Sequence, residues 1–199
     1  MGHSYNNGLH TASKGITVDA LRVTGLATAT TIAVGSNGAA LPQATINVAS
    51  TTGFPTSGTI YVTTGAGVQT VTYTGVTATT FTGCSGGTGT MSTGGFVGPN
   101  CTIAEDCKAG LVSLVKHTAT GTYVFQLTAP FPPKVVAISP DISAANATAA
   151  LLRARYVNGS YNATTGQFTV VVSSAVPAAA DGGASDELHV RMHFNRYTR

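Results

Sequence analysis

Between Arg22 and Glu105 the chain runs through 82 consecutive positions, residues 23–104, without one Asp, Glu, Lys or Arg. A protein surface is ordinarily kept in solution by ionised side chains mixed with few apolar patches. A segment this long must use another device. Either hydroxyls hydrate it, or part of it is covered by neighbouring subunits. Both readings limit the fold to one whose outward residues are Thr, Ser, Gly and Asn.

The pattern inside the segment selects β-structure. Thr or Gly alternates with Val, Ile, Tyr and Phe, the period-2 signature of half-buried strands. Strands are expected over 30–34, 44–48, 59–63, 69–73 and 79–82, with turns at Ser36-Asn37-Gly38, Thr52-Gly53-Phe54-Pro55, Gly65-Ala66-Gly67 and Thr74-Gly75. In 59–63, Ile60 and Val62 share one face. In 69–73, Val71 and Tyr73 share one face with Gln69, and Thr70 and Thr72 share the other. Threonine suits this role because it is β-branched and still shows water a hydroxyl. The region thus reads as a small β-module with a threonine solvent face.

From Cys84 to Asn100 the alternation stops, and CSGGTGTMSTGGFVGPN reads as loop or linker. Its GGTGT is followed by neither a Lys nor a helical pattern, so it fits no phosphate-binding fingerprint. Beyond Cys107 charges return. Strands are expected over 110–117, 122–128, 134–138, 151–157, 167–173 and 188–194. Val170-Val171-Val172 is apolar on both faces, as in a central strand. SAANATAALL at 143–152 fits either a strand or one short helix. About six strands in some ninety residues point to a β-sandwich of jelly-roll-like kind. The N-terminal part, with Ile16, Val18, Leu21, Val23 and Leu26 loosely spaced, reads as an extended arm, an edge strand or a stem.

The expected organisation is therefore all-β: an N-terminal arm or stem (1–27), a small β-module (28–98), a linker (99–107) and a C-terminal β-sandwich knob (108–199). The chain is 43% hydrophobic and 9% charged, against about 25% charged in an ordinary domain. Its net charge of +3 is scattered, so neither nucleic acid nor a membrane is an expected partner. No apolar run approaches the length of a transmembrane helix. The polar N-terminus resembles no secretory signal, and Asn6 stands where a myristoylation site needs Ser or Thr.

Residues that could carry chemistry are few. Cys101 and Cys107, spaced C-x5-C, can close a small disulfide loop contributing roughly 2 kcal/mol, with Cys84 left over. Free thiols are the alternative. No C-x2-C pair supports a zinc site. His189, Arg191 and His193 share one strand face, but two His four apart along a strand lie about 13 Å apart, too far for one ion. That face reads as polar surface. The alternative is an ion shared among symmetry-related copies. Asp186-Glu187 beside Gly182-Gly183 reads as a solvated turn. Asp141, Asp181, Glu105 and Asp106 suggest no paired carboxylates for glycoside cleavage. There is no G-x-S-x-G elbow. Asn146, Asn158 and Asn162 match the N-glycosylation pattern, as chance produces in an Asn/Thr-rich chain. Neither catalysis nor a cofactor nor a metal is expected.

Six stretches carry a resemblance. Val48-Ala49-Ser50-Thr51-Thr52-Gly53-Phe54-Pro55, Val71-Thr72-Tyr73-Thr74-Gly75 and Phe81-Thr82-Gly83-Cys84 resemble a β-module that recurs in virion proteins of tailed bacteriophages. Gly121-Thr122-Tyr123-Val124-Phe125 and Pro130-Phe131-Pro132-Pro133-Lys134-Val135-Val136 are similar to trimeric fibre and decoration head domains. GITVDALRVTGLATA is similar to fibre stem repeats. The resemblance implies a virion structural protein that decorates the capsid. It implies a homotrimer whose further partner is the major capsid protein or another virion protein. Its second implication is a minor tail or fibre protein that binds a host receptor such as a glycan through exposed aromatics, for which Tyr156, Tyr161 and Tyr197 are the candidates.

Overall fold

The computed structural model describes residues 16–106, 112–128, 135–143, 153–173 and 187–195. It is all-β. Fourteen strands are described: β1 (Ile16–Thr24), β2 (Thr30–Thr31), β3 (Thr45–Asn47), β4 (Gly58–Thr64), β5 (Gly67–Tyr73), β6 (Gly75–Val76), β7 (Thr80–Thr82), β8 (Phe96–Asp106), β9 (Val112–Ala119), β10 (Thr122–Leu127), β11 (Val135–Ser143), β12 (Arg153–Tyr156), β13 (Gln167–Ser173) and β14 (Glu187–Asn195). Eight of them form an antiparallel path, β11-β14-β1-β8-β9-β10-β13-β12. Its two end strands, β11 and β12, lie against each other without a hydrogen-bonded ladder, so the path is a nearly closed barrel.

Period-2 alternation explains the barrel wall. In β10, Tyr123, Phe125 and Leu127 point inward, and in β13 Phe168, Val170 and Val172 do the same. Phe125 and Phe168 sit directly opposite in register, and their rings stack at 4.8 Å. Val171 faces outward and is half-buried, so β13 is not apolar-buried on both sides. On β14, Leu188, Val190 and Met192 are buried, while His189 and Arg191 face out, as the alternation predicts.

The small module has a separate core: Ile32, Leu41, Ile46, Val48, Phe54, Ile60, Val62, Val71, Tyr73, Phe81, Cys84, Met91 and Val97. Here Phe81 is enclosed by Phe54 (5.1 Å, edge-on) and Tyr73 (4.7 Å). Its strands are short. β4 and β5 form a hairpin, and β3-β7-β6 make a second small sheet.

Two boundaries drawn from sequence need correction. Residues 16–24, assigned to an arm or stem, form β1, an interior strand of the barrel paired with β14 over eight residues and with β8 on its other side. Residues 99–106, assigned to a linker, belong to β8. Its first half, at Phe96–Pro99, pairs with β2 and β4 of the module; Asn100 and Cys101 pair with β9; Thr102–Asp106 pairs with β1. One strand therefore serves both units, and the module is an insertion between β1 and the barrel half of β8. The helix alternative for 143–152 falls outside the described residues, apart from Ser143, which ends β11.

Candidate interaction surfaces

The junction of the two units is aromatic. His117 on β9 is fully buried, stacked on Tyr123 at 4.7 Å and edge-on to Phe96 at 4.9 Å. Its Nδ1 faces the Thr28 carbonyl oxygen at 3.0 Å. A carbonyl only accepts, so the ring places a proton on that nitrogen. The Tyr123 hydroxyl donates to the Leu26 carbonyl at 3.0 Å. Both contacts grip the strand-to-module connection of residues 25–29 from the barrel side. On the other side of β8, the Tyr61 hydroxyl of β4 donates to Asn100 Oδ1 at 2.7 Å, and Lys116 Nζ sits 5.4 Å from the centre of the Tyr61 ring. Burial, with a smaller contribution from the Cys101 thiol, pushes the Tyr61 hydroxyl up to about 12, which keeps it a donor at neutral pH. Gly98 fills a tight place at this junction: a Cβ there would stand 2.3 Å from the His117 carbonyl oxygen.

Two surfaces extend from this junction. The first is the charged wall of the barrel. Across neighbouring strands, Glu105, Arg22, His189 and Asp141 occupy one register row. Glu187 accepts a hydrogen bond from Arg22 at 2.5 Å and lies 3.5 Å from His189 Nε2. Glu187 is thus the first residue of a strand and an ion-pair partner, not part of a solvated turn. Sequence reading missed this row because its members come from four distant stretches, and only the strand order brings them together.

The second surface is the distal tip of the module. β4 and β8 are antiparallel, and β8 enters the barrel after Asn100. The β4–β5 turn at residues 64–67 therefore lies at the end facing away from the barrel. The loop of residues 88–95 joins this turn to the short 3-10 turn Val34–Ser36 and the residues that follow it. Gly65 N donates to the Thr90 carbonyl at 3.0 Å, Gly38 N to the Met91 carbonyl at 2.9 Å, and Thr93 N to Asn37 Oδ1 at 3.0 Å. Val34 begins the 3-10 turn, and Val68 is the second residue of β5, paired with Thr63. They are 77% and 47% exposed, the two exposed large hydrophobic residues among those whose burial is described. Gly38, Gly67 and Gly94 in this part of the module are all at positive φ, and each would meet no atom within 4 Å if it carried a Cβ. The tip carries no charged residue.

The other sequence candidates are placed as follows. Cys101 is buried on β8 opposite Val115, and Cys107 lies outside the described residues. Cys84 is a buried free thiol in the module core, and its burial raises its pKa. Tyr156 and Tyr161 pack against the barrel core, and the Tyr161 backbone N–H donates to the Tyr156 hydroxyl at 3.2 Å; Tyr197 lies outside the described residues. Asp181, Asp186 and the His193 side chain are likewise outside them, so His189 and Arg191 represent that polar face. Asp141 is exposed on β11. Asn158 lies in an exposed turn, and Asn162 Oδ1 accepts from the backbone N–H groups of Thr164 and Thr165. Among the described residues no three His, Cys, Asp or Glu side chains converge as metal ligands, and no helix is long and apolar enough to cross a membrane.

No known protein family, curated protein or solved structure matches this chain.

Proposed function

We propose that this protein is a non-enzymatic structural component of a tailed-phage virion, decorating or stabilising the capsid surface as a homotrimer. The observation that carries the reading is the sorting of its surface. A separately cored module with no ionic side chain, lying inside the charge-free run of residues 23–104, is joined through β8 to a barrel that carries the charged wall. Subunit contacts between copies are depleted in charge relative to ordinary surface, and the module offers such a surface ready made. The module would face neighbouring subunits, and the barrel would face solvent. This reading also agrees with the resemblance of residues 48–55, 71–75 and 81–84 to virion β-modules. The receptor-binding reading draws less support, because Tyr156 and Tyr161 are engaged with the barrel core.

Immunogold electron microscopy of phage particles from the source lysate tests the proposal, with antibody raised against residues 108–199. Label spread over the heads is the expected result. Label confined to the tail would replace decoration with receptor binding, and particles without label in a lysate containing the protein would remove the virion reading.

A further inference from the structure

We infer that Asn158 is a site of spontaneous covalent modification, closing on the Gly159 backbone nitrogen and hydrolysing to aspartate and isoaspartate, while the matching pair Asn37-Gly38 is protected by the fold. An asparagine amide is open to attack by the next backbone nitrogen, and glycine there adds no side chain to hinder the approach. The chain has three Asn-Gly pairs, of which Asn7-Gly8 lies outside the described residues.

The other two sit in like turns. Ala39 N donates to the Ser36 carbonyl at 3.3 Å, and Ser160 N donates to the Val157 carbonyl at 3.0 Å. Gly38 and Gly159 both stand at φ 75, and all four Asn and Gly residues are exposed. Asn37, at φ −64 and ψ 129, completes a type II turn. Such a turn holds the Gly nitrogen away from the Asn side chain. It must open before the ring can close, so whatever else holds the turn sets the rate.

The two turns differ there. Asn37 Oδ1 accepts from Thr93 N at 3.0 Å, and Gly38 N, the would-be nucleophile, donates to the Met91 carbonyl at 2.9 Å. The second turn is tied only at its base, by Val157 N to the Thr169 carbonyl and by Thr169 N to Ser160 Oγ. Among the described residues, neither the Asn158 side chain nor the Gly159 N–H has a hydrogen-bond partner. In the reaction the Gly159 nitrogen bonds to the side-chain carbonyl carbon of Asn158. The bond from that carbon to Nδ2 breaks, and ammonia leaves with the proton the nitrogen gives up. Water then opens the cyclic imide at either carbonyl. The product adds a carboxylate to the turn after β12, and the isoaspartate form also lengthens the backbone between Val157 and Ser160.

Peptide mapping by mass spectrometry tests this, on the full-length chain held folded in mildly alkaline buffer and, in parallel, in denaturant. In the folded chain Asn158 is expected to convert to both acids. Asn37 should react about tenfold or more slowly, because two further hydrogen bonds must break first. In denaturant the two sites should react at similar rates, since each Asn precedes a Gly. Equal rates in the folded chain would overturn the inference. So would an Asn158 that reacts only in denaturant, or a rate difference that persists there unchanged.

Discussion

The module and the barrel solve the same problem by different means. The barrel is built from long ladders: β1 and β14 pair over eight residues, and β9, β10 and β13 over five or six. The module's strands are as short as two or three residues, and hydroxyls satisfy some of the backbone groups between them. Thr64 Oγ1 donates to the Gly67 or Thr88 carbonyl and accepts from Ala66 N. Thr30 Oγ1 accepts from Ser50 N, Thr51 Oγ1 donates to the Thr77 carbonyl, and Thr72 and Ser85 hydroxyls bond each other at 2.8 Å. Thr30, Thr51 and Thr64 are themselves buried. Threonine thus does more than hydrate an outer face; it closes loops that have too few residues for a ladder. A hydroxyl does this at lower desolvation cost than an ionised group, which is one physical reason the segment can dispense with charge.

The comparison can be broken most forcefully at the core. Phe81→Ala should destabilise the module by about 3–5 kcal/mol, because Phe81 is fully buried between Phe54 and Tyr73. Hydrogen exchange should show residues 59–82 losing protection while 112–127 keep theirs. Equal loss in both would mean that the two cores unfold as one. Gly98→Ala should cost about 1–3 kcal/mol or more and, unlike Phe81→Ala, lower protection on both sides, since the clash is with the β9 backbone. Thr64→Val, read by denaturant unfolding, should cost about 1–3 kcal/mol through the stranded polar groups of the distal turn. Tyr61→Phe should cost about 0.5–1.5 kcal/mol. It should also remove a loss of stability at high pH. The folded-state pKa of Tyr61 is raised from 10.0 to about 12, so its contribution is complete below pH 10 and fades as pH climbs through that interval. The smallest effect belongs to Glu187→Gln, at most about 1 kcal/mol for a partly exposed ion pair. Raising salt should reproduce it in the barrel and leave the module's stability unmoved.

Most strands of the module and of the barrel were legible because alternation is a local property, although β6 falls where a turn was expected at Thr74-Gly75 and the strand expected over 30–34 shortens to β2 before a 3-10 turn. Gln167–Ser173 matches its expected limits, and 59–63 and 69–73 differ from β4 and β5 by one or two residues at an end. The face assignment for 69–73 also holds, with Val71 and Tyr73 inward and Thr70 and Thr72 outward. Tyr61 departs from the simple alternation. It lies on the face opposite Ile60 and Val62 and is still buried, because β8 and Lys116 cover it. The roles of β1 and β8 were hidden for a different reason. FVGPNC contains Gly and Pro, the ordinary marks of a linker. Gly98 is needed because β9 passes so close. β1 shows little alternation of its own, and its place is settled by partners about 80 and 170 residues away. The charged row and the tip depend on that same long-range pairing.

That pairing has a consequence for how the chain is made. Residues 28–99 contain the module's whole core and can close on themselves as they leave the ribosome. β1 precedes them, yet one of its two neighbours is β14. Between Thr24 and Glu187 lie 162 residues, on the order of 10–30 s of synthesis. The first strand of the barrel to be translated is among the last to be fully paired, so it waits beside a finished module with one edge open.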